Sequence, residues 1–251
     1  VLNGKEYPLD NNDATNCLHG GFLRYNYLMY DAECATSQDD ASVSFSRVSP
    51  DGEQGFPGNL TLTITYTWND ANELMIEYNA VSDADTILNI TNHSYFNIGC
   101  GGQAAGDVLG AQVQIASAKY TPINEKRLPT GEICDVAGTA MEFREFHDIG
   151  SRIGEDDANV QTVSGYDHNY ILPGNPGEIC YAAAVRDPES RRIVEVYTDM
   201  PGVQLYTAKE LVEQGGKGGI TYGNFGGLCF ETQQYPNGIN EPKFPSPILK
   251  A

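Results

Sequence analysis

The stretch NLTLTITYTW alternates Leu60, Leu62, Ile64, Tyr66 and Trp68 with Thr61, Thr63, Thr65 and Thr67. Successive side chains of an extended chain point to opposite faces, so this run specifies a strand with one apolar side. After the turn NDAN comes ELMIEYNAV, in which Leu74, Ile76, Tyr78 and Ala80 oppose Met75, Glu77 and Asn79. Residues 59 to 81 are therefore predicted to form an antiparallel hairpin. The same period of two runs through VSFSRV from Val43, AQVQIAS from Ala111, YAAAV from Tyr181, RIVEVYT from Arg192 and GVQLYT from Gly202. Nothing carries a long helical stripe, and short helices are expected only near EFREFHDIGSRI and AKELVEQ. Regularly spaced strands between Gly, Pro, Asn and Asp clusters predict an all-β fold, a large antiparallel β-sandwich.

At 251 residues the chain is long enough to bury a sizeable core, and without an internal repeat or dividing linker it reads as a single domain over 1–251. It contains no membrane-span-length apolar run and no export pattern at its start, so a soluble, cytoplasmic protein is expected. A net charge of -19 repels nucleic-acid backbones and anionic lipid surfaces. The six cysteines, Cys17, Cys34, Cys100, Cys134, Cys180 and Cys229, show no CxxC or Cys/His spacing. Free thiols are expected in place of a disulfide framework, and no metal site is predicted. The glycine-rich stretches GCGGQAAG and EQGGKGGITYGNFGG read as surface loops, since neither places Gly-Lys-Ser/Thr at the head of a helix.

Four segments carry groups able to do chemistry. In ILNITNHSYFN, alternation places Asn89, Thr91, His93 and Tyr95 on one face, a polar surface with an aromatic, which suits a sugar. From position alone, a histidine satisfied within a sheet wall is the simpler reading. In GGLCFETQQYP, Leu228, Phe230 and Thr232 are expected to face the core, with Cys229, Glu231 and Gln233 opposite; Glu231 is then either a general base or an ordinary surface glutamate. In GYDHNY, Asp167 and His168 are strand neighbours pointing to opposite faces, which argues against shared metal ligation and for a hydrogen-bonding Asp167. In CLHGG, two glycines permit a sharp turn beside His19. No GxSxG or HExxH motif supports a serine hydrolase or a zinc peptidase.

Taken in order, HGG at His19, DGEQGFPGNLTLTITY, TNHSYFN, GYDHNY, PGVQLYT and CFETQQYPNGINEPKFPSP closely resemble the aldose 1-epimerase (galactose mutarotase) family over nearly the whole chain. The resemblance implies a galactose mutarotase-like supersandwich that interconverts the α and β anomers of free aldohexoses such as galactose or glucose, without cofactor or metal. It implies His93 as general acid and Glu231 as general base, with His19, Asp167 and Gln204 as sugar ligands and Tyr95 beside the ring. His and Glu suit proton transfer near neutral pH with little tuning of either group. A small-molecule aldose is the expected partner, with a monomer or homodimer as the working unit. The family pattern also places an Asn-Arg pair upstream of HGG, the arginine reaching the sugar; because the sequence opens on VLNGKEYPLDNN, the family's N-terminal strands are expected to be missing, leaving unpaired edges and exposed apolar surface. The alternatives are a catalytically silent sugar-binding protein and an epimerase of hexose 6-phosphates. A glycosidase, which needs two carboxylates flanking the scissile bond, has only Glu231 and Asp167 to offer.

Overall fold

A computed structural model describes residues 1–99, 106–175 and 177–251 of the chain. Cys100 and most of the GCGGQAAG loop lie outside the described residues. The chain forms two compact units, Val1–Leu88 with Ile248–Ala251, and Asn89–Pro247. Strands in antiparallel sheets dominate both, as the alternating sequence requires.

In the first unit, β1 (Asp31–Thr36), β2 (Asp40–Ser49), β3 (Leu60–Asn69) and β4 (Leu74–Ser82) form an antiparallel sheet in that order. The expected hairpin is β3–β4, in register from Leu60 opposite Ser82 to Trp68 opposite Leu74. Its turn is held by the Asn69 side-chain oxygen, which accepts from the Ala71 and Glu73 amides at 3.0 Å each, a local bond that asparagine offers more readily than most residues. The apolar stripe of β3 is buried only at its start: Leu60 and Leu62 are enclosed, whereas Trp68 is half-exposed. β1 is exposed along its whole length.

Two motif segments in this unit are built turns. In DGEQGFPG, Asp51 accepts from the Gly58 amide at 2.7 Å, and Gly55 (φ 87°) packs so tightly that a Cβ there would collide with the Pro8 carbonyl. Glu53 receives two bonds from the Arg47 guanidinium at 2.8 Å and one from the Ser49 hydroxyl at 2.5 Å, a bidentate clamp that fixes the turn on β2. The HGG turn takes positive φ at His19, Gly20 and Gly21, with the Asn12 side chain bonded to the backbone of Leu18 and Gly21. β5 (Thr86–Ile87) pairs with a C-terminal strand, Ile248–Leu249. The alternation expected through ILNITNHSYFN thus ends early: residues 88–95 are irregular, and Phe96 makes an isolated bridge to Leu228.

The second unit holds β6 (Gln112–Ile115), β7 (Lys119–Tyr120), β8 (Cys134–Asp135), β9 (His147–Asp148), α1 (Ile149–Ile153), α2 (Ala158–Val163), β10 (Asp167–Ile171), β11 (Cys180–Arg186), β12 (Ile193–Thr198), β13 (Gly202–Tyr206) and β14 (Cys229–Gln233). One sheet runs β14-β13-β10-β7-β8 and another β12-β11-β6-β9. They share one hydrophobic core, to which the first gives Tyr120, Tyr170, Val203, Leu205 and Phe230 and the second Val113, Ile115, Ala183 and Val185. Tyr166 is buried here, its hydroxyl donating to the Ala140 carbonyl at 3.0 Å and its ring edge-on to Phe143 at 5.0 Å.

The helices differ from expectation. Within EFREFHDIGSRI only the final Ile149–Ile153 is helical and His147–Asp148 is a strand, while AKELVEQ is irregular. An unexpected helix, α2, starts where the Asp157 carboxylate accepts from the Asn159 amide at 2.9 Å and stops at Ser164 in the left-handed region. The caps fix its ends, since six residues carry too few turns for a periodic stripe.

Candidate active site

An antiparallel ladder puts directly opposed residues on the same face. Across β10, β13 and β14, Asp167 opposes Tyr206 and Tyr206 opposes Cys229; one step along, Asn169 opposes Gln204 and Gln204 opposes Glu231. Alternate positions (His168, Tyr170, Val203, Leu205, Phe230) are buried on the other side, most of them in the shared core. The polar residues of three strands thereby form one wall because hydrophobic alternation sends their neighbours inward. Cys229 and Glu231 are themselves buried, at 0% and 8% exposure, so Glu231 is no ordinary surface glutamate. Both faces of β14 are covered.

The side chains on this wall are tied together. Gln204 donates to Asp167 at 2.7 Å and accepts from Gln233 at 3.1 Å, which fixes its amide. The irregular segment bridging at Phe96 brings His93 over β14, with Nε2 3.6 Å from Glu231 Oε1 and Nδ1 3.4 Å from Cys229 Sγ. Tyr95 stacks on the His93 ring at 5.0 Å and 29°, and Tyr206 meets both rings edge-on at 5.9 and 6.2 Å. Although no strand runs through residues 88–95, His93 and Tyr95 still stack face to face.

Electrostatics follows from burial. The Glu231 carboxyl is pushed up to about 8, first by desolvation and then by the Asp167 carboxylate. Burial also raises Asp167, against the pull of the Gln204 amide. The Cys229 thiol is pushed far above its usual range by burial and by Glu231 and Asp167. The sequence-based expectation that a glutamate base needs little tuning is therefore corrected: this one is strongly tuned by the low-dielectric wall and a like-charged neighbour.

Of the six residues singled out from sequence, the second unit brings His93, Tyr95, Asp167, Gln204 and Glu231 into one cluster. His19 stands on the exposed HGG turn of the first unit, its Nδ1 3.4 Å from Arg24 Nη1. Sequence reasoning passed over Tyr206, Cys229 and Gln233 as site members. The signal was present, because Tyr206 lies two residues after Gln204, and Cys229 and Gln233 two either side of Glu231. What alternation could not supply was which face would carry the chemistry.

A buried carboxyl touching an imidazole, on a polar sheet wall with aromatic rings, is an arrangement suited to acid–base chemistry on a polar, neutral small molecule. The chain belongs to the aldose 1-epimerase family, whose model, "Aldose 1-epimerase", matches residues 1–251. It is 40% identical over 251 residues to galactose mutarotase of Mus musculus, covering 100% of this chain and 70% of that one. It is 34% identical over 247 residues to aldose 1-epimerase of Escherichia coli (strain K12), covering 98% of this chain and 69% of the other. The crystal structure of a GalM/aldose epimerase homologue from C. elegans superposes with a TM-score of 0.86 at 25% identity, over 100% of this chain and 73% of that one. The chain is an isomerase that interconverts aldose anomers.

Proposed function

We propose that Glu231 is the general base and His93 the general acid of ring opening in a free aldohexose such as galactose or glucose. The carrying observation is the 3.6 Å separation of Glu231 Oε1 and His93 Nε2. In a cyclic hemiacetal the ring oxygen and the anomeric hydroxyl oxygen share one carbon, so the groups serving them must have tips only a few ångströms apart. Glu231 takes the proton of the C1 hydroxyl while His93 protonates the ring oxygen. The C1–ring oxygen bond breaks, and the C1 oxygen becomes the aldehyde carbonyl. After rotation about C1–C2, protonated Glu231 returns its proton to the carbonyl oxygen and His93 takes back the hydroxyl proton as the ring closes on the other face. The proton count is unchanged over the cycle.

Asp167 and Gln204, already linked by a hydrogen bond, face the wall beside Glu231 and bind sugar hydroxyls; Tyr95 offers a half-exposed ring to the C–H face. His19 is proposed as a further hydroxyl ligand on the strength of the HGG motif. The family model's span over residues 1–251 supports both units working as one mutarotase-like domain. Among the described residues, Cys17, Cys34, Cys134, Cys180 and Cys229 are free thiols, which supports action in a reducing compartment such as the cytoplasm. No helix among the described residues is long and apolar enough to cross a membrane.

Polarimetry on freshly dissolved α-galactose tests the assignment. His93→Asn and Glu231→Gln should each lose about a hundred- to ten-thousand-fold of the catalysed rate with unchanged circular dichroism. A full rate in either variant refutes the pair. Sugar binding without any acceleration by the parent protein would identify a silent binding protein.

A further inference from the structure

We propose that His93, Cys229 and Glu231 also form a binding site for a thiophilic divalent cation, Zn²⁺ or Cd²⁺, and that such an ion closes the sugar site. The three residues each offer one donor atom, and these atoms lie within 4.8 Å of one another. Cys229 and Glu231 are two residues apart on β14 and so share a face, and His93 stands over both. Spacing along the chain could not reveal this group, because 136 residues separate the histidine from the cysteine.

The donor types select the ion. Around zinc, sulfur sits at about 2.3 Å, and nitrogen and oxygen at about 2.0–2.2 Å, so ligand atoms in a tetrahedral shell stand about 3.3–3.8 Å apart. His93 meets Cys229 and Glu231 through different ring nitrogens, and an ion takes only one of them, so the three donors, within 4.8 Å of one another, close up by small side-chain rotations on binding. A thiolate and an imidazole favour Zn²⁺ or Cd²⁺ over Mg²⁺ or Ca²⁺, which take oxygen ligands. Three protein ligands leave a fourth position for water, the open arrangement of zinc sites that face a cavity. His93 keeps 31% of its side chain accessible, which gives an ion a path, while Cys229 is fully enclosed and Glu231 nearly so. The neighbouring Asp167 adds negative charge beside the three donors, which attracts a cation.

Binding needs no redox partner. The Cys229 thiol and, at neutral pH, the Glu231 carboxyl each give a proton to solvent as they bind the ion, and the imidazole donates a lone pair. A coordinated imidazole nitrogen cannot deliver a proton, and a coordinated carboxylate is a poor base, so occupancy and catalysis exclude each other. The metal site stands on the geometry alone; the competition with sugar rests on the function proposed above.

Cd²⁺ titration of the whole chain, followed by the ultraviolet thiolate-to-cadmium charge-transfer band, separates the two parts. The band of the parent protein minus that of Cys229→Ala isolates this sulfur, because the other thiols are common to both. The expected difference is one equivalent of cadmium, weakened at least about tenfold in His93→Ala. Cys229→Ser repeats the comparison should the alanine variant misfold, and circular dichroism verifies each fold. In polarimetry, Zn²⁺ should raise the apparent KM for galactose, a chelator should reverse the effect, and each cysteine variant, referred to its own metal-free rate, should resist it. A flat difference spectrum overturns the site; equal zinc inhibition of parent and cysteine variants overturns the closure. If the parent accelerates no mutarotation, the spectrum still decides the metal site, and the failure belongs to the catalytic assignment.

Discussion

Burial at Glu231 sets the pH range over which the proposed base can work. Because its carboxyl is held near 8 by burial and by Asp167, it is largely protonated in the free protein at neutral pH. As the base proposed above, Glu231 must be deprotonated to act, so kcat/KM should rise with pH through about 8 and fall below it, in place of the limb near 4 to 5 that an exposed glutamate gives. Removing the like charge in Asp167→Asn should move that limb to lower pH, whatever it costs in sugar affinity. A pH profile of mutarotation for both proteins checks the pair of statements. The residue type at Glu231 was legible in the sequence, since ETQ closes a strand whose period of two could be counted. Its tuning was not legible, because it comes first from burial by segments distant in the chain and second from a carboxylate on β10, two strands away in the ladder and sixty-four positions back.

At the level of elements, legibility followed the source of stabilisation. The long strands β2, β3, β4, β11, β12 and β13 could be read because each has enough residues for alternation to declare itself. The two-residue strands β7, β8 and β9 are set by partners distant in sequence and leave no local pattern. α2 depends on its cap: Asp157 satisfies the Asn159 amide, and Val160 is the helix's one buried residue. Asp157→Ala should therefore cost about 1 kcal/mol, readable as a lower denaturant midpoint with unchanged slope. AKELVEQ, rich in helix formers, stays irregular: Ala208 takes positive φ and Glu213 bridges to Tyr222 instead. Tertiary pairing overrode propensity there.

Over the whole molecule, thirty-four acidic against fifteen basic side chains leave nineteen uncompensated negative charges. Their mutual repulsion opposes compaction and is screened over about 8 Å at physiological ionic strength. Raising sodium chloride from low to physiological concentration should thus raise the thermal midpoint, by about 2–4 °C for each kcal/mol of repulsion relieved in a chain of this size. A midpoint that stays flat or falls in scanning calorimetry counts against that reading. The fold class could be inferred from alternation and the family from six motifs in register. The division into two compact units left no mark in composition, because no Pro- or Gly-rich linker accompanies the passage from Leu88 to Asn89.

The ladder that aligns Asp167, Gln204 and Glu231 imposes a rule on how this protein can vary. Point substitutions along β13 alter a single contact, but an insertion or deletion of one residue would turn the Gln204 amide into the core and bring Leu205 out to the substrate. Gly202 leaves room for the Asn169 side chain at one end of the strand, and a Cβ there would collide with its Oδ1 and push that amide aside. Away from the site residues, descendants of this sequence are freer to change letters in these strands than to change their number.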